Sequence, residues 1–93
     1  MDATLEAVKA EATRRAARLC AACRPTWEAD PSRRAMLKRM QLAAFDPDSG
    51  GAFEKSLTSC FPADFECSEE EEEKIVSAYV AAGVAEVERT LTL

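Results

Sequence analysis

Val76, Val80, Val84, Val87 and Leu91 recur at steps of four, four, three and four near the end of the sequence. A helix of about 3.6 residues per turn lines such positions up on one face, whereas a strand, with its period of two, scatters them. The surrounding stretch SEEEEEKIVSAYVAAGVAEVERTL also carries its own start signal. Ser68 with Glu71 has the spacing of a capping box, and Glu69 to Glu73 crowd the end where the helix dipole is positive. Ile75 and Tyr79 lie beside the valine stripe. Gly83 costs about 1 kcal/mol relative to alanine inside a helix, which points to a close helix crossing at that position.

The same period governs the first part of the chain. Leu5, Val8, Ala12, Ala16, Leu19 and Cys23 form one face, with Lys9, Glu11, Arg14, Arg15 and Arg18 opposite. Asp2 or Thr4 caps this helix, and Pro25 is expected to end it, because proline cannot donate to the ladder and disfavours helical geometry in the residue before it. A second helix is predicted from Asp30 as N-cap and Pro31 at the first helical position, with Leu37, Met40 and Ala44 on one face and Met36, Leu42 and Phe45 widening it. The turn DPDSGG ends it.

Ala52 to Phe61 reads as one or two helical turns carrying Phe53, Leu57 and Cys60, broken by Pro62; the connector ADFEC then pins Phe65 onto the core. No repeat or linker divides the 93 residues. The pattern therefore predicts a single helical domain over residues 1–93, all-α, a small irregular bundle of three main helices plus one short helix.

Charge is distributed unevenly. Residues 1–45 hold nine Lys/Arg against five Asp/Glu, and residues 46–93 hold three against twelve, within a net charge of −5. Either the basic and acidic elements fold against each other and neutralise, or a charged face docks on a partner. The candidates for docking are Arg14, Arg15 and Arg18 on the first helix, and Glu69, Glu70, Glu71, Glu72 and Glu73 at the start of the last. Trp27, the only tryptophan, is either a core anchor or an interface hot spot.

The acidic balance argues against a dedicated nucleic-acid binder, and no window approaches the ~18 apolar residues of a membrane span. MDATLEAVKAEA carries acids where a leader is basic and apolar, so the cytoplasm is the expected compartment.

Without histidine, Ser-His-Asp and Cys-His catalysis and histidine-ligated metals are excluded, and no glycine-rich phosphate loop is present. No catalytic residue and no cofactor is expected. Cys20, Cys23, Cys60 and Cys67 are numerous enough for a four-cysteine zinc or iron-sulfur site, but the C-x-x-C pair stands in an alanine-rich helix rather than a glycine-bearing turn. A redox pair would need a helix N-terminus to favour thiolate, and Cys20 and Cys23 are expected at the opposite end. They remain as disulfide staples to Cys60 and Cys67 in an oxidising compartment, or as reduced residues packed as small hydrophobes.

LAAFDPDSGGAFEKSL places Asp46 and Asp48 as a D-x-D start, Gly51 sixth, Phe53 eighth and Glu54 ninth. Over these sixteen residues the chain resembles a degenerate EF-hand calcium loop. Gly50 replaces the usual fifth ligand and Leu57 the bidentate acid at the twelfth, so the resemblance implies a hand that no longer binds metal.

Two functions are thus expected of this sequence. The first is a non-catalytic helical interaction protein, an accessory subunit or a small regulator or inhibitor docking on another protein through a charged helix face. The alternative is a metal-binding or metal-descended module built on the four cysteines or on the turn at 46–57.

Overall fold

Val8, Ala12, Ala16 and Cys20 are buried at steps of four along one helix, and Ile75, Tyr79, Gly83 and Val87 along another, and these two faces meet. The computed structural model describes residues 2–93. Its helices are α1 (Asp2–Ala29), α2 (Arg34–Ala43), α3 (Gly51–Thr58) and α4 (Glu69–Thr90), with a 3-10 turn over Pro31–Arg33 leading into α2. The fold is all-α, a small bundle in which α1 packs against all the others.

α1 and α4 run parallel. Leu5 and Lys9 lie beside Lys74 and Ala78, Arg15 meets Tyr79, and Arg24 Nη2 donates to the carbonyl of Thr90 at 3.2 Å. That last bond satisfies an otherwise orphaned carbonyl and sets a cation at the negative end of the α4 dipole. The return path is shared by α2 and α3. Lys38 pairs with Glu88 at 2.8 Å, Ala44 is held by Arg15, Ser56 by Glu11, and the Cys60 thiol reaches the carbonyl of Ala7 at 3.8 Å. Together α2 and α3 form a broken middle rod, so the bundle runs up, down and up within extents of 45 × 22 × 19 Å.

Pro25 does not end α1, which continues to Ala29. The proline removes the N–H that would bond the carbonyl of Ala21, but both residues are exposed, and water can take that carbonyl. A proline inside a helix costs about 3 kcal/mol. Continuing the helix seats Trp27, 5% exposed, and burying an indole contributes roughly 4 kcal/mol. Arg34 Nε donates to the Trp27 carbonyl at 2.7 Å, and its guanidinium lies 5.6 Å from the centre of the ring.

The inward faces of α2 and α4 are turned by about one residue from the valine and methionine stripes. Leu37, Gln41 and Phe45 point inward from the middle rod, while Met36 and Met40 are 44% and 56% exposed. On α4 the buried line is Ile75, Tyr79, Gly83, Val87 and Leu91, with Val76, Val80 and Val84 half-buried along its flank. The reason lies at the break in the rod. Ala44, Phe45 and Asp46 donate to carbonyls three residues back, a tightening 3-10 tail, and Gly50 takes φ 114° and ψ −160°, a region open essentially to glycine. This places Phe45 flat on Gly83. A Cβ added there would collide with the ring, so the close approach at Gly83 is a phenyl ring against a helix rather than one helix crossing another.

Beside that contact runs a directed chain of hydrogen bonds. Arg15 Nη1 donates to the carbonyl of Ala44 at 2.9 Å and to the Tyr79 hydroxyl at 3.1 Å. Tyr79 donates to Ser56 Oγ at 2.7 Å, and Ser56 donates to Glu11 Oε2 at 2.7 Å. Each hydroxyl accepts from one neighbour and donates to the next, from cation to carboxylate, and no buried side-chain N or O among the described residues lacks a partner. The phenol is fully buried, with Phe45 and Phe53 ring centres at 5.7 and 4.8 Å from its own. One residue of every helix, or its adjoining turn, is thereby tied to α1.

Gly83→Ala tests the packing directly. Helix propensity alone predicts a gain of about 1 kcal/mol. Displacing Phe45 from a filled core instead predicts a net loss of about 1–3 kcal/mol in urea unfolding. A variant as stable as the unsubstituted chain would contradict the placement of the ring.

Candidate protein-docking site

Ser68 starts α4 by the expected reciprocal cap. Its Oγ accepts from the Glu71 N–H at 3.2 Å, and its own N–H donates to Glu71 Oε1 at 3.1 Å. The Ser68 backbone N–H first, and the Ser68 hydroxyl after it, hold the Glu71 carboxyl below the ordinary glutamate range. Glu71 is therefore engaged in starting the helix. Glu70 approaches Lys74 at 3.9 Å in an exposed pair of small worth. Glu69, Glu72 and Glu73 are exposed and take part in no ion pair among the described residues.

An open apolar groove of about 500 Å³ lies beside these acids, lined by Leu57, Phe61, Phe65, Ile75 and Val76 among others, with Glu72 and Cys67 also in its wall. The connector between α3 and α4 builds it. Phe61 donates its N–H to the Thr58 carbonyl and Phe65 to that of Pro62, and the two tight turns stack their rings at 4.5 Å and 14°. Phe65 is thus held against Phe61 and packs, half-buried, onto the edge of the core as expected. Sequence reasoning singled out the acids but not the groove. The Phe-Pro-x-x-Phe spacing was its only visible signal.

The basic candidates divide. Arg14 and Arg18 are exposed, at 3.3 and 3.8 Å from the Glu11 carboxylate. Arg15, expected among the docking residues, is half-buried and committed to Ala44 and Tyr79, so it serves the fold. Trp27 is likewise a core anchor, not an exposed hot spot. Of the seven ion pairs among the described residues, only Lys38–Glu88 joins the basic first half to the acidic second half; the others are local. Folding thus leaves the charge separated. Asp64, Glu66 and the glutamates that open α4 gather where α1 and α4 begin, with Lys9 and Lys74 among them, while Arg24, Arg33, Arg34, Lys38, Arg39 and Arg89 gather towards their far ends, interspersed with Glu28, Asp30, Glu86 and Glu88.

The four cysteines are free thiols and are not brought together. Cys20 is buried at the level of Glu86 and Arg89, whereas Cys60 lies by Ala7 and Glu11, turns away along α1. No staple from Cys20 or Cys23 to Cys60 or Cys67 is formed, and no group of three or more metal-ligating side chains occurs among the described residues. Burial, before any neighbouring charge, pushes the Cys20 and Cys60 thiols up from the ordinary cysteine range. Nor does the 46–57 segment form a ligand loop. Asp46 Oδ1 accepts from the Asp48 N–H at 2.9 Å, α3 begins at Gly51, and the positive φ falls on Gly50 rather than at the sixth position.

Among the described residues no helix is long and apolar enough to cross a membrane. Comparison with protein-family models, with curated proteins and with solved structures returned no match.

The thiols give a graded readout of this arrangement. Under alkylation followed by peptide mass spectrometry, exposed Cys67 is expected to react first and buried Cys20 last, with rates at least about tenfold apart. Equal rates at the two would contradict the burial of Cys20.

Proposed function

We propose that this protein is a non-catalytic interaction module that docks on another protein through the acidic start of α4, as an accessory subunit or a small regulator. The observation that carries this reading is the coincidence of Glu69, Glu72 and Glu73, left outside the ion pairs, with an apolar groove that the fold does not fill. The acids favour a basic partner and repel polyanions, and the groove supplies the apolar area that charge alone lacks. The absence of histidine and the solvent access of these acids favour docking over catalysis.

Docking of this kind is steered by charge and weakens with salt. A photo-activatable residue in place of Glu72 is expected to yield a discrete protein adduct in cells of the source organism. Glu69→Lys with Glu73→Lys is expected to reduce that adduct by about tenfold or more. No adduct at Glu72, or one indifferent to both substitutions, would overturn the reading.

A further inference from the structure

We propose that the apolar groove at the acidic pole takes up the exposed methionine face of α2 from a second copy of this chain, so that copies associate head to tail. This rests on the reading of the acidic pole as a docking surface and adds an occupant.

Three large apolar side chains stand exposed among the described residues, and two of them, Met36 and Met40, lie one turn apart on the outer side of α2. Ala43 continues their line and Arg39 lies between them, all four around one shallow surface depression. Leu37 and Gln41 fix the opposite side of α2 into the core, so this face is held rigidly outward. Arg39 belongs to no ion pair among the described residues, and Arg33 has only an exposed contact with Asp30 at 3.9 Å. The face is therefore apolar knobs at helical spacing flanked by cations.

The groove offers the complement. Methionine is flexible and its sulfur is attracted to aromatic rings, which suits the stacked Phe61 and Phe65. Arg33 and Arg39 would meet Glu69, Glu72 and Glu73 at the rim. A single molecule does not bring the two surfaces together, because α2 descends from the level of Glu88 whereas the groove lies between the end of α3 and the start of α4. Two different patches on one molecule make a heterologous contact, which propagates from copy to copy instead of stopping at a symmetric dimer. Both patches are small, below the roughly 1,200 Å² of a stable complex, so the association is weak and reversible.

Sedimentation velocity of the full chain with reductant present tests this. The sedimentation coefficient is expected to rise with concentration towards about 1 mM in about 0.1 M salt and to return to the monomer value in about 1 M salt. Met36→Glu/Met40→Glu removes the inserted face, and Glu69→Lys/Glu72→Lys disables the groove rim. Each variant alone is expected to be monomeric, with circular dichroism confirming its helices. Met36→Gln/Met40→Gln provides a milder second test of the inserted face. An equimolar mixture of the Glu and Lys variants retains one intact groove and one intact methionine face, so it is expected to form a dimer and stop there. A monomeric unsubstituted chain across this range, variants that associate undiminished, or a mixture that stays monomeric would each overturn the proposal. If self-association fails while the Glu72 adduct with another protein persists, docking stands and only this occupant is removed.

Discussion

The Tyr79 hydroxyl is the point from which the arrangement of this bundle can be understood. It lies in an interior without exposure, and a phenol there must both accept and donate or lose on the order of 1–3 kcal/mol. Arg15 supplies the donor and Ser56 the acceptor, and Glu11 closes the series one turn before Arg15 on α1. The same guanidinium holds the Ala44 carbonyl and lies 5.1 Å from the centre of the Phe45 ring. Apolar packing tolerates small slips of one helix past another, whereas a directed hydrogen-bond series does not. The relay therefore sets the height of the break between α2 and α3 relative to the two long helices.

The location of the groove follows from that height. With Ser56 fixed at the level of Glu11, α3 ends low along α1 and leaves a ten-residue connector, 59–68, to reach the first turn of α4. Two tight turns shorten it and stack Phe61 on Phe65 over Ile75 and Val76. Because α1 and α4 are parallel, the positive ends of both dipoles and the run of glutamates lie at the same end of the molecule. The charge asymmetry of the sequence thus persists as two poles in space.

Much of this was legible in the residues. The periods of α1 and α4, the Ser68–Glu71 cap and the turn at DPDSGG are local signals, and local physics settles them. The errors share a cause, which is that long-range contacts chose between faces or ends that local patterns left nearly equivalent. Val76, Val80 and Val84 form as regular a stripe as Ile75, Tyr79 and Gly83, but only the second admits the Phe45 ring and satisfies the phenol. Pro25 reads as a stop, yet Trp27 beyond it reaches a core that composition does not reveal. Arg15 is indistinguishable in sequence from Arg14 and Arg18, and its withdrawal from the surface depends on Tyr79, far along the chain. The glutamates that open α4 were visible because they lie in one run; the groove beside them was not, since it is assembled from three separate segments.

The central claim is that Tyr79 and Ser56 act as parts of one relay rather than as two independent polar residues. A double-mutant cycle of Tyr79→Phe and Ser56→Ala, read by urea unfolding, measures that coupling. The account predicts an interaction energy of about 1 kcal/mol or more. Losses that add to within about 0.3 kcal/mol would contradict it.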